Sequence, residues 1–221
     1  MNQHIDHHFD EALSSLKQQI LLMGSKVEAM LSDCVRALKT KDTKLAARVV
    51  ESDHAVNALE VAIDEQCIQL LARYQPAASD LRFITRGLKI VTDLERVGDL
   101  AVNASQRVTD ILKNGEAPID LTKMTLLVQN MLKESLDAFV EKDVIKAEEV
   151  LKSDDEVDDL TERYITELLN RSETEPKSIR ILFPATSIVR YFERIADHST
   201  NIAELAIFMV KGRDVRHGKP T

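Results

Sequence analysis

The chain of 221 residues carries 37 acidic and 29 basic side chains, for a net charge of −8, and only 4% of its residues are aromatic. A negative chain with few aromatic residues lacks both the basic surface and the stacking platform of nucleic-acid-binding proteins. No stretch approaches the roughly 20 apolar residues of a transmembrane helix. We therefore expect no nucleic-acid partner and no membrane span.

Apolar residues recur at helical spacing along most of the chain, and only six Gly and five Pro interrupt them. Breakers such as Gln75-Pro76 and Asn114-Gly115 divide this pattern into six helices. The predicted helices cover residues 6–39, 43–73, 80–113, 119–140, 143–171 and 177–211. Three amphipathic helices close the smallest stable bundle, so we predict an all-α fold of two pseudo-symmetric three-helix bundles.

An internal duplication is visible in a short acidic motif that occurs in the third and the sixth predicted helix. Both copies place Glu, Asp and Asn at positions i, i+4 and i+8. The corresponding pairs are Glu95 and Glu193, Asp99 and Asp197, and Asn103 and Asn201. Earlier in each half, Lys41-Asp42 aligns with Lys142-Asp143. We predict two homologous halves, residues 1–115 and 116–221, that superpose with the acidic motifs on each other.

The Glu and Asp of each motif lie on one helix face, where two carboxylates at i and i+4 repel each other. The preceding helix of the second half adds Asp154 and Asp158, and that of the first half adds Asp53 with the neutral Asn57. Something cationic between the carboxylates would relieve the repulsion. Oxygen ligands of this kind suit Mg, Mn, Ca or Fe ions. Because the second half brings four carboxylates and the first half three, we expect the stronger cation site in the second half.

Internal salt bridges are the alternative explanation of the acidic motifs. The candidate partners are Arg96, Arg194, Arg82 and Arg180. The spacing alone does not decide whether arginine or a metal ion is the cationic partner of the carboxylates. A helical scaffold whose acidic stripes are only salt-bridged is therefore a third interpretation.

A helical metal-storage or redox protein is the rival function from another class. Di-iron bundles carry the Glu-x-x-His motif twice, whereas this chain has one copy, Glu51-Ser-Asp-His54. The sequence also contains no nucleophile elbow, P-loop or dinucleotide fingerprint. We therefore predict a protein that is not an enzyme.

The negative charge is concentrated in residues 141–175, which hold 13 acidic and 5 basic residues. Such a segment is a solvated helix face in most proteins and a docking surface in some. Cys34 and Cys67 are isolated thiols, typical of a reducing cytoplasm. The polar N-terminus, with three His among its first eight residues, does not resemble a signal peptide. We expect a cytoplasmic protein.

Three stretches carry a more specific signal, residues 75–82 (QPAASDLR), 93–103 (DLERVGDLAVN) and 194–204 (RIADHSTNIAE). Together they resemble the PhoU family of accessory regulators of phosphate uptake. The similarity extends over essentially the whole chain and includes the duplication.

The resemblance implies two three-helix bundles and E(D)xxxD motifs that hold metal clusters, with Fe, Zn, Mn or Mg as candidate ions. The matching residues are Glu95, Asp99, Glu193, Asp197, Asp154 and Asp158, while Asp53 followed by Asn57 departs from the motif. It also implies a regulator that restrains the ATPase subunit of the phosphate ABC transporter and signals phosphate sufficiency to a sensor histidine kinase. A homodimer at the inner face of the membrane, held there through its partners, is the expected assembly.

Overall fold

The computed structural model describes the backbone of residues 2–76 and 78–212 and the side chains of residues 7–76 and 79–212. These residues form six α-helices and one 3-10 turn, at Pro176–Ser178. The helices are α1 (Asn2–Thr40), α2 (Thr43–Tyr74), α3 (Ala78–Asn114), α4 (Thr122–Glu141), α5 (Val144–Thr174) and α6 (Ile179–Lys211). The all-α prediction is confirmed. Within the described residues, no helix has the length and apolar character that spanning a membrane requires.

The repeated Lys-Asp pair ends one helix and starts the next in each half. Lys41 and Lys142 have φ angles of 56° and 58°, the left-handed conformation that stops a helix. Asp42 then accepts hydrogen bonds from the first backbone N–H groups of α2, at 2.9 and 3.0 Å. Asp143 does the same for α5, at 2.9 and 3.1 Å. Side-chain caps of this kind satisfy backbone donors that have no partner inside the helix.

Helix α4 begins three residues later than the sequence predicts. The side chain of Asp120 accepts hydrogen bonds from the backbone N–H and the hydroxyl of Thr122, at 2.9 and 2.6 Å. This turn holds Asp120 outside the helix and fixes the first residue of α4.

Each half closes as a three-helix bundle, α1–α3 and α4–α6, and the two bundles meet mainly through α3 and α6. Their buried apolar residues form one continuous core. Helices α1 and α4 also approach closely, because a Cβ added at Gly24 would lie 2.9 Å from Cδ1 of Leu136. The prediction of two bundles is confirmed, and the shared core makes each bundle depend on the other.

Candidate metal centres

Helices α3 and α6 hold the acidic motifs at the edge of the core. Leu94 and Phe192, which precede the motif glutamates, are 0% and 1% exposed. Since adjacent helical residues point about 100° apart, the glutamates emerge at the flank of the bundle. The side chains of Glu95 and Glu193 are 15% and 25% exposed, so both carboxylates are largely removed from water.

The second acidic cluster consists of Asp154 and Asp158 on α5 with Glu193 and Asp197 on α6. Desolvation and then the charges of Asp158, Asp197, Asp155 and Glu193 raise the pKa of Asp154 to about 6. Desolvation, Glu193 and Asp158 also raise the pKa of Asp197, against the opposing charges of His198 and Arg194. The fold therefore brings together the four residues that the sequence assigned to this site.

Only one carboxylate of the second acidic cluster has an arginine partner in the described structure. Nη1 of Arg190 donates to Oε2 and Oε1 of Glu193, at 3.0 and 3.3 Å. In the described part of the chain, Asp154, Asp158 and Asp197 form no ion pair with lysine or arginine. Most of the negative charge is left without a cationic partner, which is the electrostatic condition for binding a cation.

The first acidic cluster consists of Asp53 on α2 with Glu95 and Asp99 on α3, and it is better compensated. Nδ2 of Asn57 donates to Oδ2 of Asp53 at 2.8 Å. Nε and Nη1 of Arg96 lie 3.3 Å from Oε2 of Glu95 and 3.5 Å from Oδ2 of Asp99. Asn57, the position where this half departs from the repeat, thus stabilises a neighbouring carboxylate.

Glu60 joins the first acidic cluster, although the sequence analysis did not include it, so both clusters hold four carboxylates and differ in their partners and not in the count of four against three. Its pKa is raised by desolvation, then by Asp64 and Asp99, with Arg96 opposing. The pKa of Glu95 is raised by desolvation first and then by Asp99, with Glu60 and Asp53 contributing. Glu60 follows Asp53 by seven residues, two helical turns, so the spacing on α2 was a signal for it.

The donor atoms of both clusters fit a hard cation, and some of them lack partners. Asp53 Oδ1, Asn57 Oδ1 and Glu95 Oε2, all in the first acidic cluster, are buried without a hydrogen-bond partner, although Nε of Arg96 lies 3.3 Å from Glu95 Oε2. A buried polar atom without a partner is costly, so these oxygens favour a ligand. However, no group of three or more His, Cys, Asp or Glu side chains among the described residues is arranged to hold a metal ion as it stands. Binding would require the carboxylates to turn towards a common point.

The arginines that form salt bridges are not all those that the sequence suggested. Arg96 forms two, with Glu95 and Asp99, as the salt-bridge alternative required, but in α6 the arginine partner is Arg190, three residues before Glu193. Arg194 forms no ion pair among the described residues, and its charge lowers the pKa of Asp197. For Arg82 and Arg180 the described residues show no ion pair, because both lie near the first turns of α3 and α6, far along the helix from the motifs. The salt-bridge interpretation holds in part for the first acidic cluster.

The structure also places the residues beside Asp197 on α6 and those of the single Glu-x-x-His match. His198 joins α6 to α3, with Nδ1 2.8 Å from Oδ1 of Asp93, and Asn201 Nδ2 donates to the same oxygen at 3.3 Å. His198 is therefore an interhelix partner. Glu51 and His54, the single Glu-x-x-His match, are both exposed on α2.

Comparison with known proteins gives matches along almost the whole chain. The family model described as PhoU domain matches twice, at residues 20–108 and 121–206. The chain is 39% identical over 220 residues to a phosphate-specific transport system accessory protein PhoU homolog of Pseudomonas aeruginosa, covering 98% of this chain and 91% of that protein. It is 35% identical over 219 residues to the accessory protein PhoU of Escherichia coli K12, covering 98% and 91%.

Solved structures agree with the sequence matches. The crystal structure of PhoU from Pseudomonas aeruginosa has a TM-score of 0.90 and 38% identity, covering 93% of this chain and 100% of that one. The phosphate transport system regulatory protein PhoU from Streptococcus pneumoniae has a TM-score of 0.87 and 31% identity, covering 94% and 99%. With two matches to the family model, relatives well above 30% identity and the same fold, the chain belongs to the PhoU family.

Proposed function

We propose that this protein is a non-enzymatic regulator of phosphate homeostasis. It restrains a phosphate ABC transporter through the ATPase subunit and signals phosphate sufficiency to a sensor histidine kinase. The observation that carries the proposal is the match, over 98% of the chain, to proteins named as accessory to phosphate-specific transport.

The acidic clusters supply the physical basis of the regulation in this proposal. Asp154, Asp158, Glu193 and Asp197 would hold one or more divalent or iron ions, with Fe, Zn, Mn and Mg as candidates. Glu95, Asp99 and Asp53 would form a second, weaker site. Bound cations would neutralise carboxylates that otherwise repel, so they would fix α5 against α6 and α2 against α3. The surface presented to a partner would then depend on metal loading.

We place the protein in the cytoplasm, at the inner face of the membrane through its partners, and as a homodimer. Contacts with a transporter or kinase should be weak and reversible, as is usual for signalling complexes. Light scattering of the purified protein checks the assembly, and a mass equal to one chain would contradict the homodimer.

Deletion of the gene in its host tests the regulatory role. Phosphate uptake and phosphate-starvation genes should be derepressed even when phosphate is plentiful, and the intact gene supplied in trans should restore repression. Affinity capture from cells grown in high and low phosphate should recover transporter and kinase subunits in different amounts. If deletion leaves uptake and its control unchanged, the proposed function is wrong.

A further inference from the structure

A cavity of about 380 Å³ lies where the two bundles meet, away from both acidic clusters. It is formed by the N-terminal parts of α1 and α3 and the C-terminal parts of α4 and α6. Its lining residues include the cations Lys17, Arg82 and Lys142, and the apolar side chains Leu13, Phe83, Phe139 and Met209. A cavity of this size is within the range that holds small organic ligands.

The three cations reach the cavity from three different segments and face one acidic side chain. Nζ of Lys17 donates to the backbone carbonyl of Val140 at 3.5 Å, which directs the amine along the cavity wall. Asp80 is the acidic lining residue, and its Oδ1 accepts a hydrogen bond from Ser79 at 3.4 Å. Among the described residues, Lys17, Arg82 and Lys142 have no carboxylate within ion-pair distance. The cavity therefore has an excess of positive charge.

The repeat provides a comparison for this charge at the corresponding positions of the other half. Lys41 corresponds to Lys142 and has the same left-handed backbone, but it forms an ion pair with Glu116. Arg180, the counterpart of Arg82, is exposed like Arg82, but Arg82 also lines the cavity. The supported difference lies in the lysine: Lys41 has the counter-charge of Glu116, whereas Lys142 has no carboxylate partner among the described residues and lines the same cavity as Arg82.

The remaining walls are apolar and partly aromatic. The rings of Phe83 and Phe139 are stacked, with centroids 5.8 Å apart and planes 13° from parallel. Leu13 and Met209 extend this surface. Cations favour phosphate oxygens, and an apolar wall beside them favours a flat, hydrophobic body attached to the phosphate. Asp80 would repel a phosphate but would accept a hydrogen bond from a hydroxyl that lies between the phosphate and the flat, hydrophobic body.

We propose that this cavity binds a nucleoside phosphate. Lys17, Arg82 and Lys142 contact the phosphate, Asp80 accepts from the sugar, and the base lies against the wall that contains Phe83. The proposal does not depend on phosphate-transport regulation or on the metal sites, since none of its residues belongs to an acidic cluster.

Calorimetric titration of the purified, full-length protein in EDTA tests the site. EDTA is needed because a metal in an acidic cluster would itself attract a nucleotide. The probes are ATP, AMP, adenosine and inorganic phosphate. ATP and AMP should bind, and adenosine and inorganic phosphate should each bind at least about tenfold more weakly, because each lacks one half of the contacts.

The variant Arg82→Gln/Lys142→Gln should lower ATP affinity about tenfold or more, because it removes two charge-assisted contacts. Its matched control, Arg180→Gln/Lys41→Gln, changes the equivalent pair and should alter the affinity less than about twofold. Circular dichroism and thermal unfolding check that both variants fold. If the double variant of the cavity does not fold, the single variant Arg82→Lys replaces it and should keep part of the ATP affinity.

Three results would overturn the proposal. They are no binding of ATP or AMP, equal weakening by the cavity variant and its control, and inorganic phosphate binding as tightly as ATP. The last result would mean an anion site that does not recognise a nucleoside.

Discussion

The two acidic clusters descend from one repeated motif but differ in how their charge is balanced. In the first acidic cluster, Asn57 donates to Asp53, and Arg96 contacts both Glu95 and Asp99. In the second, Asp158 replaces the amide and Arg190 contacts Glu193 alone. The difference shows that a duplicated carboxylate stripe can be stabilised internally in one copy and be left with unbalanced charge in the other. Charge balance favours the second copy as a metal site, whereas the buried oxygens without hydrogen-bond partners lie in the first.

The largest expected effect is on the stability of the metal-free protein. The pKa of Asp154 is about 6 in the folded chain against an ordinary 3.8, so the folded state holds a proton that the unfolded state loses between those values. The free energy of unfolding therefore falls as the pH rises from about 3.8 to about 6, and above pH 6 the ionised carboxylate of Asp154 opposes folding in full. Because Asp154 is only half-buried, screening by solvent reduces the total to on the order of 1–2 kcal/mol.

Replacing this carboxylate should therefore stabilise the metal-free protein. Asp154→Asn should raise the melting temperature in EDTA at pH 7.5 by roughly 2–8 °C and flatten its dependence on pH between 4 and 6. The matched variant in the other half, Asp53→Asn, should give no gain, because its carboxylate already accepts from Asn57. Equal shifts in both variants would mean that the two clusters are balanced alike.

Exchanging the amide and the carboxylate between halves should transfer the stronger cation site. Asn57→Asp adds a charge to the first acidic cluster and should raise its affinity for Mn²⁺ about tenfold, while Asp158→Asn should lower that of the second by a similar factor. Titration with Mn²⁺ at pH 7.5 measures both. If neither substitution changes the binding curve, charge count does not set the affinity of these sites.

Removing the arginines should have a smaller effect. Arg96 and Arg190 are about half exposed, at 57% and 54%, and exposed ion pairs contribute about 0–1 kcal/mol. We expect Arg96→Gln to change the free energy of unfolding by less than about 1 kcal/mol, yet to increase cation binding by the first acidic cluster about two- to fivefold. Arg190→Gln is the control, since it frees one carboxylate where Arg96→Gln frees two.

The smallest effect on stability is expected from the outer face of α5. Reversing Glu149 and Glu162 to Lys should change the free energy of unfolding by no more than about 0.5 kcal/mol, since both are exposed. If this acidic face contacts a transporter or kinase, the variant should be captured less well, most clearly at low salt. Reversing Glu51 and Glu65 on α2, which are also exposed, is the control. Equal capture of both variants would place the contact elsewhere.

The sequence predicted the helices well because their ends depend on local chemistry. Asp42 and Asp143 cap the helices that follow them, and Asn114-Gly115 ends α3. Most members of the acidic clusters were also predictable, since i, i+4 spacing on two adjacent amphipathic helices decides which carboxylates share a flank, but Glu60, seven residues after Asp53, was not included.

What the sequence could not supply is the relative height and rotation of neighbouring helices. The pairing of Glu193 with Arg190 depends on side-chain reach along α6, and that of His198 with Asp93 depends on how α6 lies against α3. Lys17 and Lys142 are 125 positions apart in the sequence (142 − 17), so no local pattern predicts that they line the same cavity as Arg82. The boundary between the halves at residues 115 and 116 and their superposition stay predictions.

The most direct test of the two-cluster account is the metal content of the purified protein. Wild type, Asp197→Asn and Asp99→Asn would be stripped with chelator, reloaded with Mn²⁺ or Fe²⁺ and analysed after dialysis. We expect metal in the wild type, a large loss in Asp197→Asn and a smaller loss in Asp99→Asn. The same metal content in all three proteins, or none in any of them, would contradict the assignment of these clusters as cation sites.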